Sequence, residues 1–228
     1  MRTRVIGVFA LMSLLLTALW LILLIVTLAS AGTFETFEQQ VDYLARQGAL
    51  FYFTYLNATL LTIVVAMLFV GLYLVVRPIH PVWAAMGVVW VPVYALLNLF
   101  AYLSQVTIVP GLLAVRGVQD AAMVDVLLRQ AVQQWSGSAV WALNNLGYAV
   151  LGIPSIIFGA LLLYRPGALR WAGVLLALSG IASIVGFGGI IAASATASLG
   201  SIAGEVLFLV ALIPLSIGFL RWPVVVET

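Results

Sequence analysis

Lysine and cysteine are absent from this 228-residue chain, and a single histidine, His80, is present. Without lysine there is no Schiff-base chemistry, no phosphate-loop lysine and no lysine nucleophile. Without cysteine there are no disulfides, no thiol catalysis and no cysteine-ligated zinc or iron–sulfur centre. One histidine excludes a bis-histidine haem and every multi-histidine metal site, so no cofactor is expected. Charge is the third scarcity: only 7% of residues are charged, against about 25% in a soluble domain. Hydrophobic residues make up 65% and the mean hydropathy is +1.24. Most of the chain belongs in lipid, and no nucleic-acid partner is expected.

A membrane-crossing helix needs roughly 20 mostly apolar residues. Six such runs occur, at 5–28, 51–76, 82–108, 139–163, 171–195 and 202–220. The expected fold is therefore all-α: a single polytopic domain over 1–228 with six transmembrane helices. The first run ends at Ala29-Ser30-Ala31, which has the form of a cleavage site. It is far longer than the apolar core of a signal peptide, so it reads as a retained anchor.

Arginines mark orientation. With the N-terminus cytoplasmic, Arg2, Arg4, Arg77, Arg165, Arg170 and Arg221 fall inside, and only Arg46, Arg116 and Arg129 fall outside. The reading is a multi-pass plasma-membrane protein with both termini cytoplasmic. The inside turns, 77–81 and 164–170, are short. Two long outside loops have room for surface helices. In the first, Phe34, Phe37, Val41 and Leu44 recur at helical spacing opposite Glu35, Glu38, Gln39 and Asp42, with Thr33 as the expected N-cap. In the second, Val124, Leu127, Leu128, Ala131 and Trp135 form one stripe, and Asp125 precedes Arg129 by one helical turn as a supporting pair.

A single spacing separates Asn57 from Asn145, Gly71 from Gly159, Leu74 from Leu162, Arg77-Pro78 from Arg165-Pro166 and Trp83-Ala84 from Trp171-Ala172. Spans two and three (51–108) therefore read as a parallel duplicate of spans four and five (139–195), related by an axis along the membrane normal. The repeated turn itself is structural. Proline ends a helix, arginine snorkels to the headgroups and tryptophan anchors the next span.

Polar groups at membrane depth are expensive, so their placement points to function. Asn57, Asn98, Asn144, Asn145 and Glu205 fall roughly 24 to 30 Å from the arginine-rich edge, at about 1.5 Å per residue. That is the outer third of a hydrocarbon core about 30 Å thick. Tyr94, Asn98, Tyr102 and Gln105 share one helical face; Trp141, Asn144, Asn145 and Tyr148 share another. The candidate site is thus an outer-leaflet cavity lined by Asn57, Asn98, Tyr102, Asn144, Asn145, Tyr148 and Glu205, suited to a small amphipathic ligand or a lipid headgroup. The bland alternative is that the asparagines are hydrogen-bonding glue between helices. No polar path crosses the inner two thirds, which argues against an ion channel.

Ala182, Gly186, Gly189 and Ala193 make a small-residue stripe on span five. It suits close approach by another helix, either within the chain or in a homo-oligomer or another membrane subunit. Pro92, Pro154 and Pro214 interrupt spans near mid-membrane. Glu205 has no basic companion in its span, so the chain is not expected to be an enzyme. Residues 163–180, reading Leu-Tyr-Arg-Pro-Gly-Ala-Leu-Arg-Trp-Ala-Gly-Val-Leu-Leu-Ala-Leu-Ser-Gly, resemble a broad bacterial family of six-span membrane proteins of undefined function, which place a similar turn between their fourth and fifth spans. The resemblance implies a bacterial inner membrane and no particular activity. Two functions follow: a non-enzymatic protein that binds, transports or senses a small amphipathic ligand, or an accessory subunit of a larger membrane complex.

Overall fold

The computed structural model describes residues 2–31, 34, 36–118 and 120–221. Those residues form ten helices: α1 Arg2–Ala31, α2 Phe37–Ala45, α3 Ala49–Val76, α4 Pro81–Val88, α5 Val91–Val106, α6 Ile108–Val115, α7 Ala121–Ala131, α8 Ala139–Leu162, α9 Ala168–Ile191 and α10 Ala195–Leu220. Six segments are long and apolar enough to cross a membrane: Thr3–Thr27, Ala49–Val76, Pro81–Val115, Ala139–Leu162, Ala168–Ile191 and Ala195–Leu220. The third is built from α4, α5 and α6 in succession. Pro92 opens α5 as its second residue, where its missing N–H costs no helical bond. Pro154 and Pro214, in contrast, lie inside unbroken α8 and α10.

The chain divides into two compact units. One comprises Met1–Leu15, Ile63–Ala95 and Asn145–Thr228; the other comprises Leu16–Thr62 and Leu96–Asn144. We call them the glycine unit and the cap unit.

In the glycine unit, α8, α9 and α10 approach to backbone contact. A methyl group at Gly152 would fall 2.7 Å from the Gly180 carbonyl oxygen, and one at Gly173 2.6 Å from that of Gly159. On the next helix pair, Gly186 meets Ser201 and Gly200, Gly189 meets Ser198, and Gly204 meets Ser183. The stripe expected on span five is therefore occupied from within the chain by α10. Ala193 is not part of it: α9 ends at Ile191, and Ala193 turns the chain with φ +51 while Ser194 N–H donates to the Gly189 carbonyl at 2.8 Å. Around these contacts Phe69, Leu72, Phe158, Leu162, Leu176, Leu212 and Phe219 are buried, with Phe69 packed on Phe158 and stacked on Phe208. The two turns that the sequence spacing pairs have an exposed Trp followed by a buried Ala, at Trp83-Ala84 and Trp171-Ala172. Their helices pack differently, since Gly71 abuts Ile6 of α1 whereas Gly159 abuts Gly173 and Ala177 of α9.

The cap unit holds both amphipathic helices. α2 starts at Phe37 and is capped by Thr36, whose hydroxyl accepts from Gln39 N–H at 3.3 Å while the Gln39 side chain accepts from Thr36 N–H. This Thr-x-x-Gln capping box satisfies two orphan donors at once, and it sets the start three residues beyond the expected Thr33. Thr33 and Glu35 lie outside the described residues, and Phe34 precedes the helix, with its ring against Tyr43. Phe37, Val41 and Leu44 of α2 and Val124, Leu128 and Ala131 of α7 join Phe51, Tyr55 and Tyr102 in one buried cluster. Leu127, expected on the buried stripe of α7, is exposed, and Trp135 reaches the cluster from beyond the helix, edge-on to Phe37.

Ion pairs join helices within this unit. Arg116 binds Asp125 through two bonds, Nε to Oδ1 at 2.7 Å and Nη2 to Oδ2 at 3.2 Å, and lies 3.9 Å from Asp42. Arg129 binds Glu38 of α2 at 3.3 Å and lies over the Phe37 ring. The expected Asp125–Arg129 pair within α7 is thus replaced by two longer-range pairs. A bidentate guanidinium–carboxylate fork outweighs an i, i+4 contact worth only a few tenths of a kcal/mol.

Candidate functional site

The two units divide the seven candidate residues. Asn57, Asn98, Tyr102 and Asn144 belong to the cap unit; Asn145, Tyr148 and Glu205 belong to the glycine unit.

In the cap unit the four behave differently. Asn57 is buried on α3, and its Nδ2 donates to the Leu16 carbonyl of α1 at 3.1 Å. That is the interhelical glue role. Tyr102 is buried in the aromatic cluster, its ring 6.4 Å from that of Tyr55. Asn98, on α5, is 0% exposed, and neither its Oδ1 nor its Nδ2 has a hydrogen-bond partner. Asn144 is half-buried on α8, with its Oδ1 buried and unpaired. Most buried polar side chains have a partner, and one left unpaired costs about 1–3 kcal/mol. Asn98 carries two such groups.

Gln105 completes the polar face of α5 and is fully engaged. Its Nε2 donates to the Ala131 carbonyl at 2.8 Å, and its Oε1 accepts from Gln133 N–H at 3.1 Å. It fixes the segment after α7, where Ser138 Oγ also donates to the Val132 carbonyl. This places Gln133 and Gln134 on a hollow of about 60 Å³, together with Trp20, Thr27, Thr54 and Tyr55. Gln133 Oε1 is buried and unpaired. Sequence reasoning missed this hollow. Its one visible signal was the Gln-Gln pair beside Trp135, which carries no periodicity to place it.

In the glycine unit, Asn145 and Tyr148 are half-buried on α8 and already have interaction partners. Glu205 is half-buried on α10 and makes no ion pair among the described residues. The hydroxyls buried in the spans are mostly satisfied within their own helices, as Thr62 is by the Ala58 carbonyl and Ser155 by that of Leu151. At Arg116, outside the spans, the hydrogen bond it donates to Asp125 holds the guanidinium above its ordinary range, against a smaller desolvation effect. Among the described residues no three acids or histidines gather to hold a metal ion.

Six apolar spans with capped surface helices define a multi-pass, all-α membrane protein. The chain matches no family model, no curated protein and no solved structure.

Proposed function

We propose that this is a non-enzymatic membrane protein that binds the polar end of a small amphipathic ligand or lipid in the outer polar layer of the cap unit, as part of sensing or transporting it. The carrying observation is Asn98, whose buried amide offers a donor and an acceptor with no protein partner. Asn144 Oδ1 and Gln133 Oε1 add two further acceptors in the same unit. Asn57 and Tyr102 of the same unit shape the layer, and Asn145, Tyr148 and Glu205, which belong to the glycine unit, are left out of it. In this reading both termini are cytoplasmic and the membrane is a bacterial inner membrane, as the arginine distribution and the turn at 163–180 suggest.

Asn98→Leu separates ligand binding from glue, because leucine keeps the branching at Cγ and the number of heavy atoms and removes the amide. Native mass spectrometry of the purified protein should find the co-purifying small molecule lost in N98L, with thermal stability unchanged or raised. Undiminished retention in N98L overturns the reading. Because the chain lacks cysteine, single cysteines at Pro78 and Gly48 report topology directly. Labelling by an impermeant maleimide from outside is expected at Gly48→Cys and not at Pro78→Cys.

A second reading, an accessory subunit of a larger complex, is favoured by the outer face of α7. Met123, Val126 and Leu127 are exposed there side by side, and such patches mark partner or membrane contacts. Isolation of a stable, monodisperse single species without partners counts against it.

A further inference from the structure

We propose that the cleft between α1 and α3 in the glycine unit is a binding site for an anionic phospholipid, with one acyl chain in the cleft and the phosphate at Arg4 and Arg77. The cleft has a volume of about 850 Å³ and is lined by Val5, Ile6 and Phe9 of α1, by α3 residues from Ile63 to Val75, and by Ala95, all apolar. Only hydrocarbon leaves no unpaired polar group against such a wall. Val5, Ile63, Met67, Val70 and Leu74 are exposed, so the cleft opens toward the bilayer rather than into the protein. Along α3 it runs for roughly 18 Å at about 1.5 Å per residue. That is close to the half of the hydrocarbon core, about 15 Å, that one acyl chain fills.

Charge supplies the headgroup end. Ile6 abuts Gly71, so the start of α1 runs beside the end of α3. Arg4 directly precedes the cleft on α1, and Arg77 directly follows α3. Both arginines are exposed, and neither has a carboxylate partner among the described residues. Arg77 lies over the Tyr73 ring, 5.8 Å from its centroid, which orients the guanidinium and leaves its donors free. The one acid described in this unit, Glu205, lies inside the span Ala195–Leu220. Two unneutralised guanidinium groups at the mouth of a hydrocarbon slot select a phosphate-bearing lipid of net negative charge.

The test uses the full-length protein in detergent and native mass spectrometry with three probes: dioleoyl phosphatidylglycerol, dioleoyl phosphatidylcholine and glycerol 3-phosphate. One phosphatidylglycerol should be retained in preference to phosphatidylcholine, and glycerol 3-phosphate should not be retained. The double variant R4Q/R77Q should lose the preference, by about five-fold for each charge removed. Ala66→Phe fills the cleft and should cut retention of both lipids. Met67→Gln, at an exposed lining position, puts an amide there without bulk and serves the same purpose if A66F fails to fold. Equal retention of the two lipids by the parent protein overturns the proposal. So does an unchanged preference in R4Q/R77Q, or undiminished lipid in a folded cleft variant. Retention of glycerol 3-phosphate as tightly as the lipid assigns the arginines to free phosphate and equally overturns it.

Discussion

In the glycine unit, helices meet where side chains are missing: Gly152 on Gly180, Gly159 on Gly173, Gly186 on Ser201. In the cap unit they meet through side chains, with aromatic rings, a capping box, one forked ion pair and one single ion pair holding α2 and α7 in place. The difference follows from solvent. Lipid offers no hydrophobic drive between apolar helices, so close backbone approach and dispersion do the work there. The amphipathic helices α2 and α7 have a polar side, so apolar burial and charge pairing are both open to them.

The comparison can be broken from either side. The largest effect is expected in the glycine unit, where Gly186→Leu drives a side chain into the backbone at Ser201. It should cost more than about 3 kcal/mol, read as loss of the monodisperse species and collapse of the melting temperature. In the cap unit, Asp125→Ala strips Arg116 of its fork in a half-buried setting and should cost about 1 to 2 kcal/mol, measured by thermal unfolding, with the spans still formed. Thr36→Ala removes one half of the capping box and should cost about 1 kcal/mol, seen first as faster amide exchange in α2. Smallest, and opposite in sign, is Ala193→Gly. Glycine adopts the positive φ of the α9–α10 turn without strain, so this change should stabilise by about 0.5 to 1 kcal/mol. If Gly186→Leu proves milder than Asp125→Ala, the division of labour between the units is wrong.

Hydropathy exposed the six spans because the bilayer imposes length and apolarity on any crossing helix. Register within them was less legible. Pro92, Pro154 and Pro214 look alike in sequence, yet Pro92 begins a helix after a break while the other two sit in continuous ones. At the candidate site, burial was readable where interaction was not. The face Tyr94, Asn98, Tyr102, Gln105 is buried as its periodicity required. The Leu16 carbonyl that engages Asn57 and the Ala131 carbonyl that engages Gln105 are main-chain atoms far away in sequence, which no side-chain pattern announces. The unpaired state of Asn98 is a property of its surroundings. The same holds for the arginines: their number was plain, but which acid each would choose depended on α2 and α7 sharing one buried cluster.

The chain passes between the two units at residues 15–16, 62–63, 95–96 and 144–145, and this interleaving dictates an order of birth. Every residue of the cap unit has been synthesised once Asn144 leaves the ribosome, whereas the glycine unit still awaits the helices that give it its close contacts. At about 5 to 20 residues per second, the remaining chain takes several seconds to appear. For that interval α1, α3 and α4 stand in the membrane without α9 and α10. The glycine unit therefore stays incomplete in the membrane until the rest of α8, then α9 and α10, have been made.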